Sequence, residues 1–309
     1  MWTFNDTGLP RIPEQASLLA RGFRQVGLDV TPFAAAQVKR NIADFSETES
    51  HSLRWPDLQI VSPTQRNHLL GMGFALTAFL IAPLPLAGAR HRQICSLGAL
   101  LNLLVVVCDR LFDNSSTPHP PLTRAALAGL GDSGSLMGSL LREYHLRLQA
   151  LGLSSSLLST INQCLARMYD AESQTRLAAG SLTYRDWLRK SALPFVVMAL
   201  PAWGIAPSQS RAFYSAHLRW LFQLGRFFGV VDDAVDFLED VSNRHPNCWR
   251  SIPQQLSSDR ARRTVAWGAN ILAKWDSMVV RTSESALLRD TFLYSLWEWL
   301  QPAAPYVSD

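Results

Sequence analysis

An all-α fold is predicted from three observations. Alternating Val/Ile/Thr runs of the strand type are scarce, Leu/Ala-rich segments dominate, and the stretches between strong breakers run roughly 15 to 30 residues. With 309 residues, 48% apolar and only 17% charged, the chain can bury a large core and is not expected to be disordered over most of its length. Residues 1–15, with Gly8, Pro10 and Pro13, read as an irregular arm, and 16–309 as one helical domain.

The breaks fall at Pro63, Pro83–Pro85, Asn114–Leu122, Gly129–Gly134, near Gly152, at Gly180, Gly204–Ser208 and Asn243–Pro253. They divide the chain into about nine to eleven helices of a bundle. Leu69–Ala89 and Ser191–Ser210 are each uncharged for about 20 residues, the length of a membrane span. Both contain Pro and Gly and lack aromatic-and-basic flanks, so buried core helices are expected instead of membrane spans. Met1–Arg11 has no basic start followed by an apolar run, so no signal peptide is expected.

Composition excludes several function classes. The net charge is +4, but the basic residues form no concentrated block, so no nucleic-acid partner is expected. Cys95, Cys108, Cys164 and Cys248 form no C-x-x-C pair, and no His lies at zinc-ligand spacing. Free thiols in a reducing, cytoplasmic setting are the plain reading. Gly-rich phosphate loops are absent, and the seven histidines are scattered, with no arrangement that suggests a nucleophile triad.

The chemistry is carried by two acidic clusters. In the first, Asp109 and Asp113 are at i and i+4, on one helix face, after the uncharged run Gln93–Cys108. Stacked carboxylates near a helix end repel each other and oppose the helix dipole, so they call for a cation. In the second, Asp232, Asp233, Asp236, Glu239 and Asp240 put five acids in nine residues, with no Lys or Arg from Phe227 to Asn243. A solvated face would intersperse bases. Asp232, Asp236 and Asp240 fall at i, i+4 and i+8, one stripe, while Gly225 and Gly229 clear one face for close packing or a ligand. A polar loop follows each acidic helix end, which suggests one shared cavity mouth. Together the clusters imply a site for two or three Mg²⁺ ions bridging carboxylates to a diphosphate.

At these motifs the sequence resembles the trans-isoprenyl diphosphate synthase and class I terpene synthase superfamily. Asp232-Asp-Ala-Val-Asp236, after Gly225-Arg-Phe-Phe-Gly-Val-Val, is similar to the second Asp-rich motif of polyprenyl synthases. Tyr184-Arg-Asp-Trp-Leu-Arg-Lys190-Ser191 resembles the stretch in which a Lys-Thr pair reaches the diphosphate, with Ser191 in place of Thr. Asp109 and Asp113 sit where the first Asp-rich motif would. The resemblance spans roughly residues 60 to 255, with three motifs in order.

The departures are informative. Chain-elongating members carry two adjacent acids in the first motif and an Arg-Arg-Gly after it; here Cys108-Asp109 is followed by Asn114-Ser-Ser-Thr-Pro. The early Gly-Lys-x-x-Arg-Pro stretch that holds a second substrate is also missing, Gly88-Ala-Arg90-His-Arg92 lying too close to Asp109.

The resemblance therefore implies an isoprenoid synthase-type bundle with a central active-site cavity. It implies a terpene cyclase, a carbon–oxygen lyase that ionises a linear C15 or C20 prenyl diphosphate with Mg²⁺ and cyclises the cation. The alternatives are a prenyltransferase condensing two substrates and a non-catalytic partner of a true synthase. Asp109, Asp113, Asp232, Asp233 and Asp236 are the expected catalytic carboxylates, with Asp109, Asp113, Asp232, Asp236 and Asp240 as metal ligands. Lys190, Arg226, Arg244 and Arg250 are the expected diphosphate donors, and Phe112, Trp187, Phe195, Phe227 and Phe228 the cavity aromatics. A homodimer is plausible for such a fold.

Overall fold

A helix leaves its first four N–H groups and last four C=O groups without intrahelical partners, and this chain answers that requirement with particular side chains. At three starts a hydroxyl residue does so. Ser62 accepts from the Gln65 N–H while Gln65 reaches back to Ser62, Ser210 accepts from Phe213 N–H, and Thr282 and Ser285 repeat the reciprocal arrangement. The structure, a computed structural model, describes residues 13–50, 62–86, 88–113, 136–177, 184–207, 209–243, 245, 247–250 and 256–300; at 46–50, 111–113, 136, 174–177 and 184–189 it describes the backbone alone.

Eleven helices and no strands occur among the described residues, as the all-α reading requires. They are α1 (Glu14–Gln25), α2 (Pro32–Ser50), α3 (Pro63–Ile81), α4 (Gly88–Asp113), α5 (Leu136–Ala150), α6 (Ser155–Leu177), α7 (Tyr184–Ile205), α8 (Arg211–Val235), α9 (Phe237–Asn243), α10 (Ser257–Met278) and α11 (Ser283–Trp299). Helix α1 begins at Glu14, just inside the expected arm. The expected breaks at Pro63, Pro83–Pro85 and Gly152 are present and α7 ends at Ile205, inside the expected break at Gly204–Ser208, of which Ser208 lies outside the described residues, as do Asn114–Leu122, Gly129–Gly134 and Gly180. One break was not expected. The helix carrying the second acidic cluster ends at Val235, and Asp236 sits between α8 and α9. The i, i+4, i+8 spacing survives it, because Asp236 N–H donates to Asp232 O at 2.9 Å and Asp240 N–H to Asp236 O at 2.8 Å.

One hydrophobic core joins side chains of α1, α3–α8, α10 and α11, and a small satellite under α2 gathers Val38, Ile42 and Tyr294. Close approach of α3 and α4 depends on glycine: a Cβ on Gly98 would overlap Thr77, and one on Gly73 would lie 2.5 Å from Asn102 Cβ. Helix α4 is the one described helix apolar and long enough to cross a membrane, over Gly88–Arg110; more than half of its apolar window is buried inside the bundle, as suits a core helix.

The tryptophans act as rivets. Trp220, Trp249, Trp275 and Trp297 each donate an indole N–H to a backbone carbonyl, those of Ile271, Val230, Phe79 and Leu28, at 2.8–3.1 Å. The end of α3 shows why this matters. Phe79, Leu80 and Ile81 are fully buried, and Pro83 and Pro85 prevent the helix from continuing. Its orphan carbonyls are met by Trp275 on Phe79 O, His217 Nε2 on Leu80 O (3.0 Å) and Leu84 N–H on Ile81 O (2.8 Å). Trp203 Nε1–H donates to His217 Nδ1 at 3.1 Å, which fixes the tautomer with the proton on Nε2.

His217 is therefore held neutral. Burial lowers its pKa from 6.5 to about 4, with the Leu80 hydrogen bond opposing. Between these values the unfolded chain binds a proton that the folded protein does not, so this group's contribution to stability is lost as pH falls through that window, by about 3 kcal/mol in full. Denaturant midpoints for wild type and His217→Gln from pH 7 to 4 should converge towards acid, because only the wild type carries this loss; parallel curves would contradict it.

Candidate active site

Four helices turn an apolar face inward at helical spacing, and each face ends in a charge. Helix α4 presents Leu101, Leu104, Val105, Cys108 and Asp109; α6 presents Leu165, Met168, Tyr169 and Glu172. Helix α7 contributes Lys190, Ser191, Pro194, Phe195 and Met198, and α8 Phe228, Gly229, Asp232 and Asp233. With Leu76, Met137, Leu141 and Trp299 they enclose a cavity of about 540 Å³. Pro194 has no N–H to donate to the Lys190 carbonyl, so α7 forgoes that helical hydrogen bond beside the cavity. The two glycines of the second motif have different roles. A Cβ on Gly225 would lie 2.5 Å from Ala192 Cα and 2.6 Å from Ser191 O, so Gly225 lets α7 and α8 touch, whereas Gly229 forms cavity wall.

The structure thus brings Asp109 to the same cavity as Asp232, Asp233, Asp236 and Asp240, although about 120 residues separate the clusters. Asp232 touches cavity solvent but is otherwise enclosed by protein. Burial, then the charges of Asp236, Asp233 and, more weakly, Asp109, push its carboxyl well above the usual range, with Lys190 opposing. Asp236 keeps a solvent-exposed edge, yet crowding by protein, and then Asp240, Glu239, Asp109 and Asp233, raise it to about 7. The lining also includes Glu172 and Glu239, so seven carboxylates face Lys190, Arg110 and His245.

Not all of these acids are equivalent. Asp233 accepts the Cys248 N–H at 2.7 Å, and its own carbonyl accepts Asn247 Nδ2–H at 2.6 Å. Asn247 also donates to Asp240 Oδ2 at 2.8 Å, and His245 stands 3.6 Å from Asp240. Asp233 therefore anchors the turn at 247–250 in addition to facing the cavity, and Asp240 is clamped by that turn. Asp232 and Asp236, with Asp109 across the cavity, remain as the central carboxylates.

Lys190 lines the cavity, and its ammonium lies 3.2 Å from Glu172 of α6. Among the expected aromatics, Phe195 and Phe228 line the cavity and stack at 5.4 Å and 6°, and Phe228 also meets Trp299 at 4.4 Å. Phe227 does not belong to this wall. It points into the core between Phe23, Trp267 and Phe292, because adjacent helical residues face different ways. Arg226 is likewise turned to α10, its guanidinium 5.5 Å from the Trp267 ring, and Arg250 is exposed and outside the lining. The side chains of Asp113, Phe112 and Trp187, and all of Arg244, lie outside the described residues. Sequence reasoning passed over Glu172, Asn247 and Trp299. Glu172 had a readable signal, an acid in register with Leu165, Met168 and Tyr169 on an apolar helix face; the other two had none.

The sequence matches no protein-family model and no curated protein. The donor chemistry can be tested on the site itself. Among the described residues no three His, Cys, Asp or Glu side chains are grouped to hold an ion by themselves. Mg²⁺ does not need such a cage: one or two carboxylates suffice, with water and phosphate oxygens completing the shell. Asp109, Asp232 and Asp236, hard oxygen donors that repel one another across a cavity, fit that demand.

The division of labour predicts opposite stability effects in chelator. Asp233→Ala should cost about 1–3 kcal/mol, since the Cys248 N–H loses its acceptor. Asp236→Asn should raise the denaturation midpoint near pH 7, since it removes a crowded charge. Equal shifts of the same sign would contradict the assignment.

Proposed function

We propose that this chain is a class I terpene synthase that ionises a linear prenyl diphosphate, farnesyl or geranylgeranyl, and cyclises the resulting cation. One observation carries the reading. A single cavity joins an acidic end, built by Asp109 from α4 and by Asp232 and Asp236 at the end of α8, to an apolar and aromatic interior. An anionic headgroup and a hydrocarbon tail are the ligand halves that such a cavity accommodates.

Asp109 with Asp113, and Asp232 with Asp236 and the clamped Asp240, would hold Mg²⁺, which when bound neutralises charge on the departing diphosphate. Lys190 would donate to the diphosphate oxygens, exchanging its Glu172 partner for the substrate. The C–O bond breaks with its electron pair leaving on the diphosphate, and an allylic cation remains. Phe195, Phe228 and Trp299 would present ring faces to that cation. Leu101, Leu104, Leu141, Leu165 and Met198 exclude water and fold the chain for ring closure. Loss of a proton, or capture of water, ends the reaction.

With farnesyl or geranylgeranyl diphosphate and Mg²⁺, Asp232→Ala and Asp109→Ala should each lower kcat/KM by about 100-fold or more, the scale of losing one preorganised electrostatic contact. Undiminished turnover in both variants would sink the two-cluster reading. Adding isopentenyl diphosphate should yield no longer diphosphates; their formation would move the reading to a chain-building transferase.

A further inference from the structure

The inner part of the cavity is lined by Leu76 of α3, Leu165 of α6 and Met198 of α7, the last two seven and eight residues from Glu172 and Lys190. At that depth α4 places an amide, Asn102, seven residues before Asp109 on the same face and roughly 10 Å from it along the helix. The hydroxyl residues of the described lining, Tyr169 and Ser191, stand within a turn of Glu172 and Lys190 instead. Asn102 has a plain structural role. Its Nδ2–H donates to Leu69 O at 2.8 Å, which ties α4 to α3 where Gly73 lets them touch. That bond orients the amide, because a carbonyl accepts from the nitrogen only. It leaves Oδ1, to which no described residue donates and which is not among the polar atoms buried without a partner. From Ile94 to Asp109 every α4 residue that is not buried lines the cavity, so Oδ1 meets solvent there.

We propose that Asn102 is a product-determining residue whose carbonyl oxygen draws the carbocation into the inner cavity after ionisation. The inference rests on the synthase reading above and adds to it a control over which products form. When the diphosphate leaves, positive charge arises beside it at C1. Ring closure uses the electron pair of a distal double bond to make the new C–C bond, and the charge passes to the other carbon of that double bond. The departed diphosphate pulls the charge back, and early quenching beside it gives acyclic products. A carbonyl dipole at the opposite end pulls the charge inward, and in a cavity without water that attraction is weakly screened. The ring faces of Phe195 and Phe228 attract a cation wherever it lies against them; Asn102 adds direction. An amide is too weak a base to take the proton, so Asn102 holds the charge without ending the reaction.

The test is gas chromatography of the products, with released diphosphate quantified, for wild type, Asn102→Leu, Asn102→Ala and Asn102→Asp. Each is first shown to be folded by thermal melting, and the substrate is farnesyl or geranylgeranyl diphosphate with Mg²⁺. Asn102→Leu and Asn102→Ala remove the oxygen, and the ratio of cyclic to acyclic products should fall about tenfold, the scale of one lost contact to a charge. These two variants differ in volume, and one that folds suffices. Diphosphate release should fall by less, since ionisation takes place at the other end of the cavity. Asn102→Asp keeps an acceptor oxygen whether or not its carboxyl is protonated, and should retain the cyclic products. A wild-type product ratio in the oxygen-free variants would overturn the Asn102 assignment and leave the synthase reading standing. So would an equal loss of cyclic products in Asn102→Asp, which would assign the effect to the bond with Leu69, or a fall in release at an unchanged ratio. No release by wild type would overturn both.

Discussion

Carboxylates gathered round one cavity repel one another, and burial deprives them of water that would screen the repulsion. In this protein the repulsion is concentrated on Asp232, where burial adds to it, and on the more exposed Asp236, which each feel the other acids of their own segment and Asp109 from a helix far away in sequence. An arrangement so unfavourable on its own persists only if the scaffold enforces it. It is relieved by anything that brings positive charge to the cavity, a protein cation such as Lys190 or a divalent ion. The same feature thus sets what the fold must hold, and it is why a cation is part of the proposed function.

The enforcement can be traced through particular contacts. Gly225 lets the backbone of α8 meet that of α7, which places Lys190 and Ser191 opposite Asp232. The end of α3, buried and stopped by prolines, is sealed by Trp275 from α10 and by His217 from α8. Asn247 ties Asp240 to the Asp233 carbonyl, so the short helix α9 and the turn after it close over the end of α8. These polar contacts fix register between helices whose remaining contacts are apolar and less directional.

Much of this was legible in the sequence. The all-α class, the prolines that stop α3 and the meeting of Asp109 with the second acidic cluster follow from spacing and from the misfit of clustered acids beside apolar runs. Helical periodicity alone could not decide between Phe227 and Phe228, because each borders an apolar face; the core at Phe23 and Trp267 takes one and the cavity the other. The position of Arg226 is hidden for a related reason, since Trp267, which attracts its guanidinium, is about 40 residues away. Asp233 looked like its neighbours until the turn at 247–250 supplied the N–H that it accepts. Trp299 gave no signal, because nothing local marks which residue of a distant helix will border a cavity.

The proposed function requires this cavity to ionise a prenyl diphosphate without a second substrate. The most direct measurement is to incubate the wild-type protein with C10 to C25 prenyl diphosphates and Mg²⁺, quantifying released diphosphate alongside gas chromatography of the extract. With the C15 or C20 substrate, one diphosphate should be released per molecule of cyclic hydrocarbon or alcohol formed. Release at no chain length, or acyclic alcohols alone, would contradict it.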